Sequence, residues 1–165
     1  MSNIEHPYYS TVPSPIGELF VAGDGESLGI LYMNDANDYS HAYDGRTLDK
    51  QALQPVADQL DAYFAGERQD FDIKLNPAGT PFQRSVWNAL TEIPYGETRT
   101  YGEIAAAVGQ PQAARAVGTA NNRNPIAVIV PCHRVIGANG SLVGYAGGLG
   151  RKEKLLELES GVMTL

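Results

Sequence analysis

Cys132 is the only thiol in the chain, and it stands in the tetrapeptide Pro131-Cys132-His133-Arg134. A thiolate is a strong nucleophile once a base or nearby positive charge favours its ionised form. Here an imidazole and a guanidinium follow it directly. The apolar run Ile126-Ala127-Val128-Ile129-Val130 precedes it and Val135-Ile136 follows, a pattern that predicts a buried strand delivering the thiol to a fixed place. Adjacent side chains on a strand point to opposite faces, so Cys132 and His133 are expected to meet through a water rather than directly. The plainer role for a free cysteine is a small buried hydrophobe.

Other chemistries find less support. His6 and His41 lie far from Cys132 and His133, and neither Cys-x-x-Cys nor His-Glu-x-x-His occurs, so no metal is expected. Gly23-Asp24-Gly25 lacks the third glycine of a dinucleotide fingerprint and reads as a hairpin turn. The stretch 137–150 holds no Gly-Lys-Ser/Thr. No cofactor is expected. A lone cysteine forms no internal disulfide and fits a reducing compartment. No apolar stretch approaches the ~20 residues that span a bilayer, and the first residues lack a signal-peptide pattern. A cytoplasmic protein without a membrane partner is the expectation.

Net charge is −7, but it is unevenly spread. Residues 1–79 hold four Lys/Arg against thirteen Asp/Glu, whereas 80–165 hold eight against six. No acidic residue occurs from Ile104 to Lys152, a stretch that contains Arg115, Arg123, Arg134, Arg151 and Lys152. Polyanions respond to local potential. The second half is therefore a candidate DNA surface, and the acidic first half is expected to face away from DNA.

The elements that must position these groups fall into two domains, 1–75 and 80–165, joined by a 76–79 linker. Tyr8–Val12, Leu19–Ala22 and Leu28–Met33, separated by turn residues, read as an antiparallel meander. The polar stretch 34–49 reads as a loop. Val56, Leu60, Tyr63 and Phe64 fall at helical spacing up to Gly66, and 71–75 alternates like a strand. In the second half, Thr80-Pro81-Phe82-Gln83 and Thr100-Tyr101-Gly102-Glu103 are capping boxes that each open a helix. Gly109-Gln110-Pro111 then turns into a helix from Gln112 to about Asn121. This pair reads as a helix-turn-helix. A last helix runs from Arg151 to Glu159.

From Ile93 to Leu156 the chain resembles the O6-alkylguanine-DNA alkyltransferases (methylated-DNA–protein-cysteine methyltransferases). The shared blocks are Ile93-Pro94-Tyr95-Gly96, Thr100-Tyr101-Gly102, Ala113-Ala114-Arg115-Ala116-Val117-Gly118, Asn124-Pro125, Ile129 to Ile136 and Tyr145-Ala146-Gly147-Gly148. Five or more blocks in order make the match specific. The resemblance implies an α/β N-terminal domain of antiparallel sheet plus helix, ribonuclease-H-like, followed by a mainly α winged helix-turn-helix domain. It also implies DNA repair by one irreversible transfer of the alkyl group from O6-alkylguanine, and from O4-alkylthymine, to Cys132. The partner is duplex DNA bound through its minor groove with the base flipped out. The protein is expected to be a monomer, with cooperative binding along DNA left open.

The same resemblance distributes roles. His133 is the base, oriented by Glu159. Tyr101 donates to the departing guanine, and Asn124 holds the turn beside the cysteine. Arg115 is the finger that fills the space of the flipped base, from a close-packing face of Ala113, Ala114, Ala116 and Gly118, with Arg123 and Tyr101 also at the DNA. Tyr145, Ala146, Gly147 and Gly148 line the substrate pocket. Arg134 is expected to make structural hydrogen bonds. Two rivals remain: a non-catalytic lesion binder, whose known examples usually lack this cysteine, and a Cys-His hydrolase that turns over.

Overall fold

Tyr8–Val12 (β1), Leu19–Gly23 (β2) and Leu28–Met33 (β3) pair antiparallel as a meander. The computed structural model describes residues 5–33, 43–145 and 147–161, which leaves Ala146, His41 and most of the 34–49 loop outside it. Thr47–Leu48 (β4) lies in the described end of that stretch and pairs parallel with β1, giving the order β3-β2-β1-β4. Thus 34–49 is not loop throughout: Thr47 donates to Pro7 O and Asp49 to Tyr9 O. The chain divides into two units between Ala78 and Gly79.

In the first unit, β2 is buried along its whole length. Asp24 makes the turn to β3: its Oδ1 accepts from the amides of Glu26 and Ser27, and these bonds hold its pKa at about 2. Helix Gln54–Phe64 (α1) buries Val56, Leu60, Tyr63 and Phe64. It ends as Gly66 enters φ 77. The amides of Gly66 and Glu67 then return to Tyr63 O and Ala62 O, a Schellman close.

The expected strand over 71–75 does not form. Only Leu75 bridges, to Leu28. Upstream, the Gln59 side chain of α1 takes both the amide and the carbonyl of Asp72, so a side chain satisfies the backbone that a ladder would otherwise use.

In the second unit, helices Pro81–Thr91 (α2) and Tyr101–Ala107 (α3) both start at reciprocal capping boxes, Thr80 with Gln83 and Thr100 with Glu103. Replacing Thr100 with alanine is expected to cost about 1 kcal/mol of stability, measured by urea denaturation. An unchanged midpoint would contradict it. Ala114–Asn122 (α4) follows a turn at Gly109 and begins two residues later than expected. Trp87 Nε1 donates to Ala120 O at 2.9 Å, a buried bond that fastens α2 to α4. Two-residue strands Arg99–Thr100 (β5) and Val135–Ile136 (β6) pair parallel, and Leu149–Ser160 (α5) closes the unit. Among the described residues, no helix is long and apolar enough to cross a membrane.

Candidate active site

Ile126–Val130 is not a strand. Its backbone bonds close locally: Ile129 donates to Ala127 O and Val130 to Ile126 O. The Asn124 side chain accepts from the Ile126 amide at 3.0 Å and donates to Val130 O at 2.8 Å and Ile126 O at 3.3 Å. Val128 is forced to φ 69, a conformation that costs a β-branched residue about 1–3 kcal/mol. A continuous apolar run does not distinguish a buried strand from such a coil. The thiol instead starts a 3-10 helix, Cys132–Arg134. Adjacent residues on such a helix are about 120° apart around its axis, at three residues per turn. No hydrogen bond links the Cys132 sulfur to the His133 ring among the described residues.

Cys132 is 5% exposed. Burial pushes its pKa up, while the Asn124 side chain, the Lys152 charge and the amides of Cys132 and His133 favour the thiolate. The net direction is upward, so the resting group is a neutral thiol.

His133 and Glu159 are both buried, and His133 Nε2 lies 2.7 Å from Glu159 Oε2. Arg134 completes the cluster. Its Nε and Nη2 reach Oε1 and Oε2 of Glu159 at 2.7 and 3.0 Å, and its Nη1 donates to Ile93 O at 2.7 Å. The guanidinium also lies 5.7 Å from the Tyr95 ring centre. Burial opposes ionisation of Glu159, but the bonds and charges of His133 and Arg134 outweigh it and hold its pKa at about 2.

That carboxylate fixes the imidazole. An ionised carboxylate only accepts hydrogen bonds, so Nε2 must carry the proton. Burial lowers the pKa of His133, which keeps the ring neutral at pH 7. Its Nδ1 is therefore a lone-pair acceptor, and it is buried with no partner among the described residues. The arrangement is a neutral base beside a neutral thiol.

Two tyrosines complete the surroundings. Tyr145 has a buried hydroxyl with no hydrogen-bond partner in geometric range among the described residues. Burial and then the Cys132 charge raise its pKa far upward. The Tyr101 hydroxyl donates to Val143 O at 3.0 Å, and its pKa is likewise raised by burial and by Cys132. Gly147 is buried, and Gly148 at φ 93 caps α5. Ala146 lies outside the described residues.

Of the residues expected at DNA, Tyr101 belongs to these surroundings and the others lie on α4 and its caps. Arg115, Ala116 and Arg123 are exposed on α4 and its C-cap, with Ala113 and Ala114 half-buried at its start. Gly118 faces the Tyr101 ring: a β-carbon there would lie 3.7 Å from it, which ties the helix to the site. Two groups escaped the sequence reading. The buried Asn121 donates to Cys132 O at 3.4 Å, and Lys152 is buried at 0% exposure. Lys152, Leu155 and Glu159 share one helical face, so a charge on the buried stripe was the available signal.

The chain is similar to known proteins over both of its units. Residues 7–77 match the family description "6-O-methylguanine DNA methyltransferase, ribonuclease-like domain", and 81–161 match its DNA-binding domain. A methylated-DNA–protein-cysteine methyltransferase of Methanosarcina acetivorans is 58% identical over 92% of this chain and 97% of that protein. One of Mycobacterium bovis is 57% identical over 92% of each. The crystal structure of Mycobacterium tuberculosis OGT in complex with DNA superposes with a TM-score of 0.87 at 55% identity, covering 94% of both chains.

Proposed function

The chain belongs to the 6-O-methylguanine DNA methyltransferase family, and from that premise we propose the roles its residues take in moving an alkyl group from DNA onto the protein. Its activity is that of a methylated-DNA–protein-cysteine methyltransferase, a DNA repair reaction. The acceptor is Cys132, the only cysteine in the sequence. The observation that carries the mechanism is the His133–Glu159 bond at 2.7 Å, because it leaves Nδ1 as the site's proton acceptor.

The thiol proton passes through a water to Nδ1, and the imidazolium that forms is stabilised by the Glu159 carboxylate. The sulfur attacks the alkyl carbon in line, forming C–S as C–O6 breaks, and the bonding pair leaves with the guanine. The Tyr101 hydroxyl exchanges its Val143 acceptor for the departing base and relieves the developing charge. A thioether offers no facile return to the thiol. One chain repairs one lesion.

Arg115 occupies the space of the extruded nucleotide, with α4 close-packed in the minor groove through Ala113, Ala114, Ala116 and Gly118 and with Arg123 beside it. Tyr145, Ala146, Gly147 and Gly148 receive the base, and O4-alkylthymine is a second substrate. The protein acts as a cytoplasmic monomer. Mass spectrometry of the Cys132 peptide after incubation with an O6-methylguanine duplex tests the acceptor: a peptide without added methyl ends the proposal. Arg115→Ala is expected to slow duplex repair about 30-fold or more, since extrusion costs a few kcal/mol, while reaction with free O6-benzylguanine stays native. Equal losses on both substrates would remove the finger.

A further inference from the structure

Lys152 is a buried charge to which the reaction above gives no task. Its Nζ donates to Val135 O at 2.6 Å and to Val143 O at 2.8 Å. Both acceptors are neutral carbonyls. Among the described residues no carboxylate pairs with it. A buried ammonium without a counter-ion is costly, and such a group ordinarily gains an anion or loses its proton.

The two carbonyls matter because of what flanks them. Val135 follows the 3-10 helix that carries Cys132, and Val143 lies two residues before Tyr145. Val143 O is also the acceptor of the Tyr101 hydroxyl. One ammonium therefore joins the nucleophile's flank, the loop bearing Tyr145 and the resting partner of Tyr101. The anion missing from this picture is the one that the reaction creates. Burial lowers the pKa of Lys152 and Cys132 raises it, and Lys152 in turn favours the thiolate.

We infer that Lys152 is a positioning residue for alkyl transfer: its ammonium clamps the loop at Val143 against β6 and presents positive charge to the sulfur as the thiolate forms. This rests on the alkyl-transfer reading and deepens it. The clamp also explains how Tyr101 is released. When the hydroxyl leaves Val143 O for the incoming base, Lys152 still satisfies that carbonyl, and the loop keeps its place.

The test uses the single thiol of the full chain. Iodoacetamide alkylation of Cys132 is followed against pH in the native protein, Lys152→Met and Lys152→Arg, beside single-turnover repair of an O6-methylguanine duplex. The other groups around the thiol are unchanged in every variant: Tyr101 of α3, His133 and Arg134 of the 3-10 helix, Tyr145 of the loop, and Arg151 and Glu159 of α5. Lys152→Met is expected to raise the alkylation midpoint so that thiolate reactivity at pH 7 falls about tenfold. Repair is expected to fall further, about 100-fold, because the loop is also freed. Lys152→Arg keeps the charge and the midpoint but repairs about tenfold more slowly, since a planar fork does not fit the lysine's two acceptors.

Thermal melting establishes which variants fold. If Lys152→Met does not, the split in Lys152→Arg between midpoint and repair decides. A folded Lys152→Met with native midpoint and rate overturns the inference. So does a Lys152→Arg that loses both in parallel. Native protein that takes no methyl from the duplex refutes the alkyl-transfer reading instead, because the iodoacetamide profiles report on Lys152 without it.

Discussion

Cys132→Ser puts no label on the protein from a radiolabelled O6-methylguanine duplex, while duplex affinity stays at the native level. The substitution keeps the side chain's size and its place at the start of the 3-10 helix, so the fold has no reason to change. What is lost is the nucleophile. Among uncharged nucleophilic side chains cysteine is the least dependent on activation, and this site activates modestly. Its base is an imidazole whose pKa burial has lowered, and a hydroxyl is a far weaker acid than a thiol for such a base to deprotonate. The native protein should show a burst that reaches, and never exceeds, one alkyl group per chain. Label on the serine variant, or a native amplitude above one equivalent, would contradict the mechanism. The second result would favour a hydrolase.

Glu159→Gln is expected to slow transfer about 100-fold, the lower range of what a positioned general base contributes, and to lower stability by about 3 kcal/mol. The geometry explains why one residue does both. Glu159 is the shared acceptor of His133 and Arg134, all three buried. Glutamine removes the charge and leaves the guanidinium buried with no anion. It also no longer dictates which imidazole nitrogen carries the proton. The pH dependence supplies an independent readout. The carboxyl falls from 4.5 to about 2 on folding, so the unfolded chain holds the extra proton between those values. The native contribution is complete above pH 4.5 and disappears as pH falls toward 2. Urea midpoints of the native protein should drop across that window, and those of Glu159→Gln should drop less. Parallel curves would show that the carboxylate does not stabilise the fold.

Legibility in the sequence followed the range of the interactions. The starts of α2 and α3 were readable because each cap is a bond between residues three apart, Thr80 with Gln83 and Thr100 with Glu103. Gly66 and Gly109 marked helix ends for an equally local reason, since both adopt positive φ. The approach to the thiol was misread because Ile126–Val130 carries hydrophobicity without period. Asn124 decides its path by bonding three backbone groups across six residues, and no pattern of apolar residues encodes that. The same holds at 71–75, where a glutamine thirteen residues away replaces a ladder. Glu159 became visible through the family resemblance alone. By itself it is one more acid on a helix, 26 residues from His133.

The carboxylate that orients the base stands in the last turn of α5, after every other residue of the site. On the ribosome the thiol is therefore made before the group that prepares it to react. Until α5 packs, His133 lacks its anchor and Lys152 its two carbonyl acceptors. A reagent that is spent once has reason to be armed last, and this one is armed only when α5 folds and brings Glu159 to His133.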